Sequence, residues 1–375
     1  MPIKIFFRNI ALFLIYTLVL SGCSDSENAT SSTQIPDQPS AKIYKWKMVT
    51  TWPKNLPGLG LAAENFSTLV KKMSGGRLQV KVYGAGQLVP ALEVFDAVSQ
   101  GTAQMGHGSA YYWKGKTQTS ALFTTVPFGL NAQEMNSWLH YGGGIELWRE
   151  LYAPFNLVPI AAGNTGVQMA GWFNREINSL EDLKGLKMRI PGIGGEVISH
   201  LGVETVNIPG GELYTAMQTG VIDATEWVGP YNDLALGFHQ VAKYYYYPGW
   251  QEPGPALELI INKQSYDNLP KDLQAIIEGS ARAVNQDMLD EYTARNQAAL
   301  DVLVDVHDVQ LRKLPDTVLS ELKTITQQVL KKMVQEDPTF KKVYESQEKF
   351  KHQVQKYHKI SEQAYYRARE LKDTN

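Results

Sequence analysis

The sequence predicts an α/β protein of two lobes with a cleft between them and a long C-terminal helix, and three features support this prediction. Apolar segments that alternate like strands are interleaved with segments of helical periodicity between residues 44 and 110. A second series of the same kind, with unrelated sequence, follows between residues 157 and 227. Charged segments with apolar residues at helical spacing make up most of the chain after Pro270.

The first series predicts strands at 44–51, 78–83 and 104–110, with helices at 61–73 and 90–100. This βαβαβ order implies a parallel sheet with helices on its faces. The second series predicts strands at 157–162, 167–173, 187–190, 204–208 and 221–227, with helices at 179–182, 195–201 and 211–219. An apolar strand at 256–262 leads into the helical region, and an amphipathic helix runs from 338 to about 371.

These elements suggest the boundaries of the lobes. We assign residues 43–166 and 255–297 to lobe 1, and residues 167–254 and 298–335 to lobe 2. Residues 336–375 form the C-terminal helix, which packs either on its own globule or on a second subunit to form a homodimer. In two α/β lobes, the cleft at the strand ends is the expected ligand site.

The N-terminus has the pattern of an export signal. Lys4 and Arg8 precede a short apolar run, and Leu20-Ser-Gly-Cys23 resembles the lipobox of bacterial lipoproteins. Residues 1–22 are therefore predicted to be a lipoprotein signal peptide, and Cys23, the only cysteine, the lipidated residue. The polar, Ser- and Pro-rich residues 23–42 are predicted to be a flexible tether. We expect a periplasmic or cell-envelope protein held to a membrane by this lipid.

Composition and motifs argue against nucleic-acid binding and against several common classes of enzyme. The chain has 36 basic and 38 acidic residues and a net charge of -2, so it has no basic excess of the kind that binds nucleic acid. Its seven histidines are scattered, and the sequence contains no HExxH, P-loop or G-x-S-x-G motif. These observations favour a binding protein over an enzyme.

Two longer motifs carry a family resemblance. Residues 178–191 read NSLEDLKGLKMRIP, and residues 207–227 read NIPGGELYTAMQTGVIDATEW. In these segments the chain resembles the extracytoplasmic solute receptors of TRAP transporters, and the resemblance extends over nearly all of the mature chain. It implies a periplasmic-binding-protein-like fold and delivery of the ligand to the membrane subunits of a TRAP permease.

The resemblance also implies roles for individual residues. Arg189 matches the family's arginine at the end of a strand, which clamps the carboxylate of the ligand. The guanidinium suits this task because it can donate two parallel, charge-assisted hydrogen bonds to a carboxylate.

Glu226-Trp227, Gln168 upstream and Gly249-Trp-Gln-Glu252 downstream resemble the 2-oxoacid-binding branch of the family, in which a metal ion is bound with the acid. The matching ligands would be the side chains of Gln168, Glu226 and Glu252 and the main-chain carbonyl of Trp227. All are oxygen donors, which suit Na⁺ or Ca²⁺.

Charge supports a cation independently of the resemblance. Glu226, Glu252, Arg189 and an anionic ligand in one desolvated cleft would leave two negative charges uncompensated. Na⁺ would leave one and Ca²⁺ none, and the choice between them stays open. A 2-oxoacid such as pyruvate or a 2-hydroxyacid such as lactate could chelate the ion through adjacent oxygens.

Further residues are candidates for contact with the acid. Trp52 and the segment Tyr111-Tyr112-Trp113 follow predicted strands where loops face the cleft, and Asn164 could hydrogen-bond the ligand. Two other functions stay open at this point. A closed receptor could signal to a sensory partner, and a metal-dependent envelope enzyme could use Glu226 or Glu252 as a base, although no activated nucleophile is evident.

Overall fold

A computed structural model describes residues 42–371. The predicted signal peptide, Cys23 and all but the last residue of the predicted tether lie outside the described residues. The strands of the described chain are β1 Tyr44–Thr50, β2 Leu78–Tyr83, β3 Met105–Gly108, β4 Leu157–Asn164, β5 Gly171–Phe173, β6 Lys187–Arg189, β7 Glu204–Val206, β8 Ala224–Thr225, β9 Tyr244–Tyr247, β10 Ala256–Asn262 and β11 Gln310–Lys313.

The helices connect and cover these strands. They are α1 Leu59–Met73, α2 Val94–Ser99, α3 Ala132–Tyr141, α4 Gly144–Tyr152, α5 Gly192–Ser199, α6 Leu213–Gln218, α7 Pro230–Leu236, α8 Lys263–Asp267, α9 Lys271–Asp301, α10 Asp316–Glu336, α11 Pro338–His358 and α12 Glu362–Arg369. In the part of the chain that the structure describes, none of these helices is both long and apolar enough to cross a membrane.

The first sheet has five strands in the order β2-β1-β3-β10-β4. β1 pairs in parallel with β2 and β3, as the βαβαβ pattern predicts. β10 enters between β3 and β4 and runs antiparallel to both. The side chains of β10 and β4 are buried throughout, which accounts for their mainly apolar sequences.

The second sheet has six strands in the order β11-β9-β5-β8-β6-β7. β6 is parallel to β7 and β8, whereas β5 is antiparallel to β8 and β9. The four tyrosines at 244–247, for which the sequence suggested no element, form β9. Tyr245 is buried and stacks on Trp172, with 4.1 Å between ring centroids. The predicted two-lobed α/β class is confirmed by these two sheets and their covering helices.

Several predicted elements are shorter than expected. The strands predicted at 167–173 and 221–227 contain only three and two residues of regular strand, β5 and β8. The flanking residues leave the sheet ladder for loop contacts, and the amide of Gln168 donates to the carbonyl of Glu252. The helix predicted at 179–182 is a 3-10 turn at Glu181–Leu183.

The C-terminal region is two helices rather than one. Helix α11 packs on its own chain through Phe340 and Val343, which are buried, and through Gln347, whose amide donates to the carbonyl of Leu122 at 2.7 Å. Helix α12 buries none of its residues. A turn at residues 359–361 separates the two helices.

Strand β10 places a carboxyl group inside the first sheet. Glu258 is fully buried, and the indole N–H of Trp113 donates to its Oε1, while its Oε2 has no hydrogen-bond partner in the described part of the chain. Burial raises the pKa of the Glu258 carboxyl to about 8, against the opposing effect of the Trp113 hydrogen bond. The group is therefore largely protonated in the folded protein at neutral pH, whereas it ionises in the unfolded chain.

We predict that Glu258→Gln changes how the free energy of unfolding depends on pH. A raised folded-state pKa costs stability progressively as pH rises above the unfolded value and through about 8, so the native protein loses stability over this window. The amide variant escapes that loss and should gain on the order of 1–3 kcal/mol relative to the native chain between about pH 5 and pH 9. Denaturant unfolding at both pH values measures this. Glu204→Gln, at an exposed position, is the control, and an equal pH response in all three proteins would contradict the prediction.

Candidate functional site

The topology of the second sheet gathers four distant segments at one edge. β6, β8 and β9 run in the same direction, so Arg189, Glu226 and the loop leading to Glu252 emerge together. β5 runs the opposite way, and Gln168 precedes it, so this side chain lies at the same edge. Residues separated by up to 84 positions in the chain thus meet because one strand is reversed.

Arg189 ends β6 and its side chain is completely buried. Its Nη1 donates to the carbonyl of Glu226 at 2.9 Å and also forms an ion pair with Oε1 of that residue. Nε donates to the carbonyl of Ile208 at 3.3 Å, and Nη2 to the hydroxyl of Tyr112 at 3.2 Å. A guanidinium has five N–H donors, so one N–H of Nη2, beside Tyr112, is still free to bind another acceptor.

Glu226 follows β8 directly, and the sheet register positions it beside the arginine. Arg189 is paired with Thr225 in the ladder, and the amide of Glu226 donates to the carbonyl of Arg189 at 3.1 Å. The contact between the two charged side chains is therefore fixed by main-chain pairing. A buried pair of this kind is stable only when its remaining donors and acceptors are also satisfied.

Gln168 and Glu252 lie on adjoining loops. The amide of Gln168 donates to the carbonyl of Glu252 at 3.1 Å, and its side-chain Nε2 donates to Oγ1 of Thr165 at 3.2 Å. Gly249 allows this approach, because a Cβ at that position would lie 2.1 Å from the carbonyl oxygen of Gln168. The close packing of these two loops therefore requires glycine at position 249.

Besides Oε1 of Gln251, three buried oxygens of the predicted cation ligands have no hydrogen-bond partner among residues 42–371. They are Oε1 of Gln168, Oε2 of Glu226 and Oε2 of Glu252, and all three side chains are at most 5% exposed. Buried polar atoms are normally satisfied, so three unsatisfied acceptors together call for a positive partner. Carboxylate and amide oxygens suit a hard cation, and the residues predicted to hold Na⁺ or Ca²⁺ therefore fit such an ion.

The site contains two carboxylates and an amide, not a cluster of acidic and histidine ligands. Among residues 42–371, no group of three or more His, Cys, Asp or Glu side chains is arranged to hold a metal. This edge of the sheet therefore does not provide the nitrogen and sulfur ligands of a zinc or copper site.

Burial disfavours the charged forms of the ionisable side chains in the site. Burial raises the pKa of Glu226 to about 7, even though Arg189 acts to lower it. Burial, and then the neighbouring Glu226, raise the pKa of Glu252 well above its usual range. Burial acts to lower the pKa of Arg189, but the surrounding carboxylates and tyrosines raise it overall. A positive ion between the carboxylates would lower their pKa values and favour their ionised forms.

Aromatic side chains enclose the site. Trp52, Tyr111, Tyr112 and Trp227 surround a cavity of about 10 Å³, together with Leu59, Thr165, Gln168, Val228 and Leu257. This is on the order of one water-sized sphere, so any organic ligand requires these walls to move apart. Larger grooves lie elsewhere on the surface, but they do not bring buried charges together.

Trp227 is held between the arginine and the main chain. The guanidinium of Arg189 lies 5.1 Å from the centroid of the Trp227 ring. A Cβ at Gly210 would lie 2.2 Å from Cη2 of that ring, so only glycine leaves room for it. The indole is thus fixed as a wall against which a small ligand could lie.

The structure positions the remaining sequence candidates differently. Trp52 and Tyr111 line the cavity, and their contact with an acid stays a prediction. Asn164 is buried close by, but its Nδ2 donates to the carbonyl of Gly254 at 3.1 Å and its Oδ1 accepts from the amide of Gly166 at 2.9 Å. Both ends of its amide thus bind main chain, which fixes the loop that carries Gln168.

Three further residues contact the site, and of these the sequence singled out only Tyr112, as part of the aromatic segment 111–113. Tyr112 binds Arg189, Thr165 binds Gln168, and Gln251 lies close enough to Glu226 to lower the pKa of its carboxyl. Gln251 is a direct neighbour of the named candidate Glu252. Adjacency was thus the only signal that the sequence offered for it, because contact depends on which loops the sheet brings together.

Comparison with known proteins identifies the family. The profile described as bacterial extracellular solute-binding protein, family 7 (DctP) matches residues 48–337. A monocarboxylate 2-oxoacid-binding periplasmic protein of Nostoc is 41% identical over 357 residues, which cover 95% of this chain and 96% of the relative.

Solved structures share the fold over most of the chain. A TRAP transporter solute binding protein from Bordetella bronchiseptica has a TM-score of 0.86 and 38% identity, covering 87% of this chain and 97% of its own; it is a mixed-occupancy dimer with copurified calcium and picolinate in the active site. A TRAP periplasmic solute binding protein from Pseudoalteromonas atlantica, with bound sodium and pyruvate, has a TM-score of 0.85 and 43% identity, covering 88% and 100%.

These matches confirm the resemblance inferred from residues 178–191 and 207–227. The matched relatives are receptors for small carboxylates, and the two solved structures hold their ligands together with calcium or sodium. The chain belongs to the DctP family of bacterial extracellular solute-binding proteins, the solute-binding proteins of TRAP transporters.

Proposed function

We propose that this chain is an extracytoplasmic receptor that binds a small monocarboxylate, either a 2-oxoacid such as pyruvate or a 2-hydroxyacid such as lactate, through a cation and Arg189. The observation that carries the proposal is the set of three unpartnered, buried oxygens on Gln168, Glu226 and Glu252 next to a buried guanidinium. The pairing of sodium with pyruvate in a relative of 43% identity supports the same chemistry here.

Arg189 and Tyr112 supply the acid-binding end of the site. The free N–H of Nη2 lies beside the Tyr112 hydroxyl, so the two groups together can hold one carboxylate oxygen. Because Nη1 and Nε already bind Glu226 and Ile208, the arginine is held in one orientation before any ligand arrives. The remaining oxygen of the acid group would face the three unpartnered acceptors, where the cation belongs.

Gln168, Glu226 and Glu252 would hold the cation, with the carbonyl of Trp227 as a further ligand. The bound ion would supply the positive charge through which the acid's carboxylate and its α-oxygen are both recognised. Na⁺ and Ca²⁺ both suit these oxygen donors. The aromatic walls limit the tail of the acid, because Trp52, Tyr111 and Trp227 leave little space beyond the polar end.

Export and anchoring complete the proposed function. A signal peptide over residues 1–22 and a lipid on Cys23 would hold the receptor at the periplasmic face of a membrane. The loaded receptor would deliver its acid to the membrane subunits of a TRAP permease, as the family does. Binding and release of an unchanged ligand need no nucleophile, and the site provides walls and charges that suit binding rather than catalysis.

We further propose a homodimer that uses the C-terminal helices. Helix α12 and its approach expose Tyr357, Ile360, Tyr365 and Leu371, which are 65%, 75%, 61% and 76% exposed. Apolar residues concentrated in this way are characteristic of an interface. Light scattering at micromolar concentration should therefore give the dimer mass, and truncation after His358 should reduce it to the monomer mass; a monomer before truncation would contradict the proposal.

Calorimetric titration of metal-stripped protein with pyruvate tests the main proposal. We expect binding heat only when Na⁺ or Ca²⁺ is present, because the acid alone would add negative charge to a site that already buries two carboxyl groups. Arg189→Lys should weaken pyruvate binding about 10- to 100-fold, since lysine keeps the charge beside Glu226 but loses the planar fork. Glu252→Gln should instead raise the cation concentration needed for half-maximal binding.

Matched surface variants separate these effects from general damage. Arg175→Lys and Glu204→Gln make the same chemical changes at exposed positions and should bind as the unmodified protein does. If neither pyruvate nor lactate gives heat with either cation, the 2-oxoacid assignment fails. If Arg189→Lys binds pyruvate normally, the arginine is structural and the acid lies elsewhere.

A further inference from the structure

Positive charge is concentrated in the first part of the folded chain. Residues 42–83 contain eight lysines and arginines and one carboxylate, Glu64, whereas the whole chain has 36 basic and 38 acidic residues. The remainder is consequently acidic in balance. Charge segregation of this size creates a local field that the near-neutral total conceals.

The fold gathers most of these cations around one surface groove. Six lysines line it, together with Glu64, and the groove has a volume of about 1070 Å³ along the edge strand β2; we call it the basic groove, lined by Lys45, Lys47, Lys54, Lys71, Lys72 and Lys81. Parallel pairing of β1 with β2 places Lys47 opposite Lys81. Lys71 and Lys72 of the groove lie in the last turn of α1.

Few of these charges are neutralised by the protein itself. Lys54 lies 3.5 Å from Glu64. Within residues 42–371, the other five lysines of the groove have no carboxylate oxygen within the 4.0 Å that defines a salt bridge. These five lysines are also exposed, which is the arrangement of a surface that attracts an anionic partner.

Protection of a sheet edge explains only part of this pattern. Lysine on an edge strand prevents pairing with another chain, and Lys81 on β2 can serve this purpose. Lys71 and Lys72 lie on a helix, however, where no strand edge needs protection. The edge strand β7 of the second sheet has no lysine and exposes Glu204 instead.

We propose that the basic groove lies against the anionic phospholipid surface of the membrane. Charge complementarity favours this partner, because an anionic bilayer attracts clustered lysines within a Debye length of its surface. The position of the groove in the chain favours it too. Tyr44 begins β1, which lines the groove, and only 18 residues separate the predicted lipid site Cys23 from Lys42. A fully extended segment of this length spans about 60 Å, which is long enough for the groove to reach the membrane surface.

The contact would orient the receptor as well as bind it. A lipid alone would restrict only the distance of the globule from the membrane, whereas a charged face adds a preferred direction. This inference is separate from ligand recognition, because the groove shares no residue with the candidate acid site.

Vesicle sedimentation tests whether the basic groove binds an anionic membrane in protein that lacks the predicted lipid anchor. Residues 42–375 form one compact unit that contains both hydrophobic cores, so this unit can be studied without Cys23. We expect it to bind phosphatidylcholine vesicles that contain about one third phosphatidylglycerol, and to bind pure phosphatidylcholine at least about tenfold more weakly. Raising the salt from about 0.05 M to about 0.5 M should release it.

Charge-reversal variants locate the binding surface. Lys45→Glu, Lys47→Glu and Lys81→Glu together should reduce binding to the anionic vesicles at least about tenfold, since each lysine near such a surface contributes roughly a fivefold gain. The matched control reverses three exposed lysines of α10 and α11, by Lys323→Glu, Lys331→Glu and Lys349→Glu, and should retain binding.

The outcomes separate the possibilities. Loss in the groove variant alone supports the proposal, provided that both variants unfold at the same denaturant concentration as the unmodified unit. Equal loss in both variants would show that net charge, not the groove, attracts the protein, and would overturn the proposal. Absence of binding to anionic vesicles, or binding only to vesicles that contain a permease, would overturn it as well. Pyruvate is not needed in any arm, so the result is independent of the acid-binding proposal.

Discussion

The buried pair of Arg189 and Glu226 is the interaction on which the candidate site depends. Main-chain pairing of β6 with β8 sets the two residues side by side, and the guanidinium then binds two carbonyls and the Tyr112 hydroxyl as well. Breaking such a pair would leave a buried charge without a partner, which costs roughly 3–5 kcal/mol. The arginine is therefore fixed in place, and Trp227 lies against it. Recognition of a carboxylate is strongest when its donor is already ordered, because less side-chain entropy is lost on binding.

Excess negative charge is the second constraint. Glu226 and Glu252 are both buried, and one guanidinium cannot neutralise two carboxylates and an acid as well. The raised pKa of both carboxyl groups and their unpartnered oxygens are two signs of the same deficit. A bound cation would resolve it, and it would also give a physical reason for selecting acids with an oxygen on the α-carbon. On this account the ion and the acid are recognised together, and neither is bound well alone.

Local pattern predicted much of the fold and of the site, and the limits follow from particular residues. The βαβαβ series, the strand at 256–262 and the motif that ends in Arg189 were evident because each depends on neighbours in sequence. The antiparallel entry of β10 was not predictable from periodicity, since pairing partners are set by packing over long separations. The same holds for β9, whose four tyrosines have no alternation of apolar and polar residues. Tyr112 follows β3 of the first sheet and Gln251 follows β9 of the second, so both residues reach the site only through contacts between loops that are distant in sequence.

The most direct test of the central claim is to locate the ion. Crystals of the protein grown with pyruvate and calcium should show an anomalous scattering peak bound by Oε1 of Gln168, Oε2 of Glu226 and Oε2 of Glu252, at about 2.3–2.6 Å from each. Pyruvate should lie between this ion and Arg189. A peak elsewhere, or pyruvate bound to Arg189 with those three oxygens still unpartnered, would contradict the account of a cation-bridged acid site.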